Sequence, residues 1–363
     1  MVYSSSLRQA VGAVRSGLGS IGLGSQDARF ALHGEHAAST DAPLVLVACS
    51  GGRDSMALAF VSQKVCASLG VRCGAIIIDH RLQLGSSDAA RTAAMQCGRL
   101  GLSPVIRVEV DVDVSRAGEE AGAREARYQA LSDVATWFGA AAVLLAHTLD
   151  DQAETVLIDL MRSSGVSALT GMSDVIDWNG VTFARPFLGL TREQTTAVCR
   201  DCKIAWWDDP TNGAGMSPDA PLPQGYPLRS RVRHTVMPFL ERFAGGGVAR
   251  HLAYGTKSAR QDEDFLNACC DEAYSHIVRC DAKGGLLIDA SALQTRHAAI
   301  RSRVVMHALN ELGIAFTSAH VDSIVNLATH WHGQGEVSLP SGYSAKRKKH
   351  VIRVCKNGTH ANR

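Results

Sequence analysis

Ser50-Gly51-Gly52-Arg53-Asp54-Ser55 is the segment of this chain best equipped for chemistry. It follows the apolar run Leu44-Val-Leu-Val-Ala-Cys49 and precedes a stretch of helical spacing, 55–69. A loop at such a junction is an anion cradle, because the first amides of a helix have no internal partner and carry partial positive charge. Gly51 and Gly52 let the backbone approach a phosphate closely, and Ser50 and Ser55 add hydroxyl donors. The loop lacks Gly-Lys-Ser/Thr, which excludes the common P-loop. Asp54 would repel a triphosphate unless a cation lay between them, so Asp54 is expected to help hold Mg²⁺. A second candidate segment is Ala146-His147-Thr148-Leu149-Asp150-Asp151-Gln152-Ala153-Glu154-Thr155. Asp151 and Glu154 are spaced i,i+3 and can face one way from a first helical turn. There they could complete a magnesium site or orient an ammonium group; the plainer alternative is that these acids merely favour a helix N-terminus.

The elements that must position these segments alternate in type. Short apolar runs at 44–49, 74–79, 105–110 and 142–146 are separated by Ala-rich stretches of helical spacing at 55–69, 87–100 and 118–138. This alternation predicts an α/β fold, a parallel twisted sheet with helices on both faces. Open sheets of that kind bind ligands at the carboxyl ends of their strands, where both segments fall. Phe183-Ala-Arg-Pro186 is a candidate fifth strand, and 191–203 a helix with Thr191 as its N-cap. Residues 1–40 are expected to be an N-terminal extension with an amphipathic helix at Leu7–Leu18, and 41–212 the catalytic domain. Pro and Gly residues mark 213–227 as a linker. Residues 228–363 are then a smaller, mainly helical domain with helices at 230–243, 256–280 and 291–312. It ends in a hairpin within 335–354 that turns at Pro340–Gly342.

At 363 residues the chain is long enough for two domains. A net charge of +2 does not by itself announce a nucleic-acid binder. Local basic clusters at Arg229, Arg231 and Arg233, at Arg296, Arg301 and Arg303, and at Lys346 to Lys349 can nonetheless hold phosphates. Ten scattered cysteines without a secretory leader favour free thiols in a cytoplasmic setting. No apolar run is long enough to span a membrane. Cys199 and Cys202 form one Cys-x-x-Cys pair, two metal ligands at most. Trp206 and Trp207 could stack on a base or serve as ordinary rim residues.

The Ser-Gly-Gly-x-Asp-Ser loop resembles the PP-loop signature of ATP-pyrophosphatases. His147-x-x-Asp150-Asp151-Gln152-x-Glu154-Thr155, Leu160-Met-Arg-Ser-Ser-Gly165 and Leu169-Thr-Gly-Met172 resemble the tRNA(Ile)-lysidine synthetase family. Asp79-His80, Glu120 to Leu131 with its Arg124 and Arg127-Tyr128, Arg185-Pro186, Thr191-Arg192, Trp207 to Asn212, and Arg229 to Leu240 agree with that family in order. Two positions depart from it: Gln83 stands where an Arg is usual, and Ser230 where an Asn is usual. The resemblance implies ATP and Mg²⁺ as cofactors, and a tRNA(Ile) with a CAU anticodon and L-lysine as partners. It implies no membrane and is compatible with a homodimer. Cytidine 34 would be adenylated and then joined to lysine, with release of AMP and pyrophosphate. On this basis Ser50, Gly51, Gly52, Arg53, Asp54, Ser55, Asp79, His80 and His147 are expected to bind ATP. Asp54, Asp150 and Asp151 are the metal candidates, and Asp54, Asp151, Glu154, Arg127, Arg231 and Arg233 the catalytic ones. Another PP-loop tRNA modifier of the 2-thiocytidine type, or a tRNA-binding relative without catalysis, are the alternatives.

Overall fold

The structure is a computed structural model that describes residues 3–31, 37–79, 85–110, 119–163, 165–209, 216, 220–282 and 284–357. Two compact units emerge, Met1–Lys257 and Ser258–Arg363.

In the first unit the apolar runs form strands β1 (Leu44–Ala48), β2 (Arg72–Asp79), β3 (Val105–Glu109) and β4 (Ala140–Leu144). A hairpin follows, β5 (Val175–Trp178) and β6 (Val181–Ala184). The sheet order is β3-β2-β1-β4-β6-β5, with every pair parallel except β5 against β6. β1 is buried at all five positions, as a central strand covered on both faces must be. Helices α1 (Ser5–Ser20), α2 (Arg53–Leu69), α3 (Ser86–Arg99) and α6 (Arg192–Asp201) pack on one face through Val14, Leu58, Cys97 and Val198. Helix α4 (Glu119–Trp137) covers the other through Tyr128, Leu131 and Ala135. The α/β expectation therefore holds. The N-terminal helix is part of this unit: Leu7, Ala10, Val14 and Leu18 are buried.

After β4 the chain enters α5 (Leu149–Arg162). Thr148 caps it and Asp151 closes a reciprocal capping box. Strand order reverses between β1 and β4, so the loops leaving those two strands meet at the crevice where such sheets bind ligands. Residues 228–244 form one helix in three parts: α7 (Leu228–Arg231), a π-turn at Val232–Val236, and α8 (Met237–Ala244). Pro238 supplies the reason for the wide turn. Its ring cannot donate to the carbonyl of His234 and would collide with it, so Met237 N–H bonds Val232 instead.

The packing divides the chain inside α9 (Val248–Ile277) rather than at 213–227. The residues just past the expected linker do not leave the first unit, because Leu228, Val232, Met237, Ala249 and Leu252 pack against Ala153, Leu157 and Ile158 of α5. The second unit holds α10 (Ala290–Thr295), α11 (Ala298–Glu311) and α12 (Ser318–Thr329). Its sheet is five-stranded and antiparallel, in the order β7-β8-β11-β10-β9: β7 (Val278–Cys280), β8 (Leu286–Asp289), β9 (Val337–Leu339), β10 (Tyr343–Lys348) and β11 (Val351–Lys356). The turn at Pro340–Gly342 joins β9 to β10, and a second turn at Lys349-His350 joins β10 to β11. A lone terminal hairpin is thus corrected to a sheet that shares its core with the helices, among them Ile288, Val304, Ile324 and Ile352.

Candidate active site

The phosphate-type loop begins where β1 ends. Gly51 has φ +80°, and a Cβ there would lie 3.0 Å from the Ala93 methyl, so both conformation and space require glycine. Gly52 is the N-cap of α2 and makes no side-chain cap bond. The amides of Arg53, Asp54 and Ser55 are left without intrahelical acceptors, as in any first turn. The loop carbonyls are engaged elsewhere. Trp207 N–H donates to Gly51 O at 2.9 Å, Ser55 Oγ to Gly52 O at 2.8 Å, and Cys199 Sγ to Arg53 O at 3.4 Å. The loop can therefore offer N–H groups to an anion without an opposing row of free carbonyl lone pairs.

Four carboxylates and three guanidinium groups lie beside it. Arg192, at the first position of α6, donates to Asp151 Oδ1 at 3.0 Å and Glu154 Oε1 at 3.1 Å. Its guanidinium also lies 3.9 Å from Asp54 and 4.0 Å from Asp150, and its backbone N–H donates to Asp150 at 2.7 Å. Arg233 forks onto Glu154, at 2.8 Å from each oxygen, and reaches Asp151 Oδ1 at 2.8 Å. Arg229 donates to Thr155 Oγ1 at 3.1 Å and lies 3.8 Å from Glu154. The other oxygen of Asp151 accepts from Thr148 N–H and hydroxyl, both at 2.8 Å. Burial would push the Asp151 carboxyl up, but Arg192 and Arg233 outweigh it and hold the group well below the usual carboxylate range. Asp54 accepts a hydrogen bond from Thr195 Oγ1 and is nevertheless raised, because burial dominates over Thr195 and Arg192.

His147 follows β4 with its Nδ1 buried and unpartnered among the described residues. Burial pushes its pKa down to about 3; Asp151 opposes this, and Arg185, Arg127 and Arg124 reinforce it. The ring is therefore neutral at pH 7. A folded pKa below the unfolded 6.5 means that the unfolded chain binds the extra proton first. This contribution to stability is complete above about pH 6.5 and is lost as pH falls toward 3. His147→Gln should flatten that loss, narrowing the gap in urea-unfolding free energy between pH 7 and pH 4.5 by about 2 kcal/mol. An unchanged gap would place the acid sensitivity elsewhere.

The expected site residues divide as follows. Residues 50–55, His147, Asp150, Asp151 and Glu154 converge at the β1/β4 crevice. Arg127 on α4 lies within electrostatic range of Cys49 and His147, and no carboxylate among the described residues forms an ion pair with it. Asp79 ends β2 and accepts from Ser86 and Ser87 at 2.8 and 2.6 Å, so it anchors the start of α3. His80 and Gln83 lie outside the described residues. Arg231 is absent from the acidic cluster, and Arg229 takes its place beside Arg233: residues i and i+4 share a helix face, whereas i+2 points away. Arg192 and Thr195 were not among the expected site residues. The capping box of Thr191 with Gln194 is the local signal that places Arg192 at the tip of α6.

Asp54 and Asp150 offer hard oxygen donors that are partly exposed, with side chains 23% and 30% accessible, which suits a magnesium ion that keeps substrate phosphates as further ligands. Asp151 fits less well because both its oxygens are engaged. Cys199 and Cys202 belong to no group of three metal-type side chains among the described residues. No described helix is long and apolar enough to cross a membrane.

Residues 28–240 match the PP-loop domain family, and residues 288–352 match the TilS substrate binding domain. The tRNA(Ile)-lysidine synthase of Bifidobacterium longum subsp. infantis is 52% identical, with all of both chains covered. That of Streptomyces coelicolor is 41% identical over 85% of this chain and 84% of its own. Among solved structures, the U34-tRNA thiolase NcsA from Methanococcus maripaludis superposes with a TM-score of 0.53 at 14% identity, covering 70% of this chain and 78% of that one. This last likeness concerns the fold alone.

Proposed function

Because this chain belongs to the tRNA(Ile)-lysidine synthase family, we propose that it modifies cytidine 34 in the CAU anticodon of tRNA(Ile) with L-lysine at the expense of ATP. The observation that carries this reading is the meeting of the glycine loop after β1 with the acidic first turn of α5 after β4, at the one crevice where the strand order reverses.

The C2 oxygen of cytidine attacks the α-phosphorus of ATP; an O–P bond forms, the α–β bridge breaks, and pyrophosphate leaves. The amides of residues 53–55 and the hydroxyl of Ser50 hold the departing phosphates, while the Ser55 hydroxyl braces the loop through Gly52 O. Arg127, which forms no ion pair with a carboxylate among the described residues and lies within electrostatic range of Cys49 beside the loop, would meet their charge. Magnesium arriving with ATP would be held by Asp54 and Asp150 and would neutralise the leaving group. The ε-amine of lysine then attacks C2, forming a C–N bond as AMP leaves and a proton is lost from nitrogen. Glu154 and Asp151 are the anions that can receive an ammonium. Asp151, held ionised by Arg192 and Arg233, acts as fixed charge rather than as a base. The lysine ammonium must take over acceptor positions that Arg233 and Arg192 hold at Glu154.

Incubation of the chain with ATP, Mg²⁺, lysine and tRNA(Ile) transcript, followed by nucleoside mass analysis, tests this directly. The expected product is cytidine heavier by lysine less one water, with one pyrophosphate released per base. Pyrophosphate release independent of tRNA, or a sulfur-containing nucleoside, would overturn it.

A further inference from the structure

On the exposed side of α8, two rings stand in water. Phe239 is 56% and Phe243 82% accessible. They are one turn apart and stacked, with centroids 6.1 Å apart and planes 20° from parallel. Phe239 also forms one wall of a cavity of about 310 Å³, whose other walls include Pro221, His234, Thr235, Val236 and Arg242. That volume lies at the small end of the range for ligand clefts, roughly 300–1,000 Å³. His234 brings a ring whose Nδ1 has no hydrogen-bond partner among the described residues. Arg242 adds a cation on the next turn. Glu241, the nearest carboxylate in sequence, is drawn off to cap α9, accepting from Val248 and Ala249 N–H at 3.2 and 2.8 Å. The cavity is thus an aromatic face with a basic rim, and the local acid is turned to other work.

We infer that this cavity is a nucleobase pocket, which takes an unpaired base of the substrate tRNA close to the reacting cytidine. The inference rests on the tRNA reading above. An aromatic face accepts any base by stacking, and a neighbouring guanidinium meets the phosphate that accompanies it. Position along the chain supports the assignment. Arg233 belongs to the acidic cluster and His234 lines the cavity, so one turn of the π-segment presents the reaction site on one side and this pocket on the other. A base that stacks on Phe239 would hold the loop while its neighbour is flipped toward the crevice.

The test uses the full chain and a tRNA(Ile) transcript carrying 2-aminopurine at one unpaired anticodon-loop position at a time, next to cytidine 34. With wild-type protein, one position should be quenched on binding. Phe239→Ala should abolish that quench and weaken tRNA binding about 5- to 150-fold, the loss that one stacked base represents. KM for tRNA should rise while KM for ATP stays, and Phe239→Trp should restore both quench and affinity. Phe239 is exposed, so its truncation leaves no buried cavity to unfold the chain. Equal tRNA affinity in wild type and Phe239→Ala overturns the pocket while lysidine formation continues. If the substitution instead leaves RNA binding intact and converts a dimer into monomers, the face is a contact between copies and the inference falls. If the wild type neither binds nor modifies tRNA, the functional reading fails first and the pocket with it.

Discussion

Asp54→Asn is expected to lower tRNA-dependent pyrophosphate release by about a hundredfold to a thousandfold, the scale on which one lost electrostatic contact in the transition state reduces kcat. The same substitution should leave the protein as stable as wild type at neutral pH, or more stable. Burial raises the Asp54 carboxyl even though Thr195 and Arg192 favour the ion, so the folded protein holds this charge at a cost. A raised folded pKa means that stability falls as pH climbs through it, and the neutral amide abolishes that fall. The combination of lost turnover and retained or improved thermal midpoint is the mark of a group kept for chemistry rather than for folding. Pyrophosphate release near the wild-type rate would remove Asp54 from the mechanism. A large drop in thermal midpoint would show that its bond to Thr195 is structural.

Arg192→Ala is expected to produce the largest stability loss at the site, about 3–5 kcal/mol at pH 7, the cost of removing one partner from a buried ion network. Arg192 is 17% accessible and faces Asp54, Asp150, Asp151 and Glu154 together. Without it, Asp151 and Glu154 keep Arg229 and Arg233, while Asp54 and Asp150 lose the guanidinium that faces them. Burial then weighs more heavily on Asp151, which loses the Arg192 charge that holds its pKa down; its protonation in the folded state becomes easier, and the deficit grows as pH climbs through the carboxylate range. Urea unfolding at pH 7 and pH 4 should therefore show a smaller deficit at pH 4. Arg192→Lys should recover only part of it, because an ammonium cannot span two carboxylates as a planar fork does. A deficit of equal size at both pH values would mean that packing, not charge, is what Arg192 supplies. Lysine-dependent turnover should fall as well, since the acidic pair loses the guanidinium that orients it.

The glycine loop before α2 and the acidic first turn of α5 were legible in the sequence as local structure because each is contiguous. A strand, two glycines and a helix start carry their meaning locally, as does Thr148 with Asp151 three residues on. Arg192 stood out only within the Thr191-Arg192 match and Thr195 not at all, because their place at the site lies in pairing with Asp54 across 138 and 141 residues of chain. Arg231 and Arg233 were the expected catalytic pair and Arg229 only a member of the basic cluster; the helix instead puts Arg229 and Arg233 on the face that meets the acids. The β5–β6 hairpin was in fact written plainly: Asn179-Gly180, with φ of 52° and 76°, is the preferred two-residue turn, yet only the second strand stood out as apolar. β7 and β8, three and four residues long, offer too few positions for alternation to emerge beside a 30-residue helix.

The wide turn at 232–236 has a consequence for how this stretch tolerates change. A π-turn carries one residue more than an α-turn over the same span. Deleting one residue between Val232 and Val236 would close it to α spacing with Arg229 and Met237 still on the faces they occupy, but Pro238 would then oppose a carbonyl four residues back that it cannot bond. Inserting one would instead carry Met237 about 100° around the axis and out of the apolar seam it shares with α5.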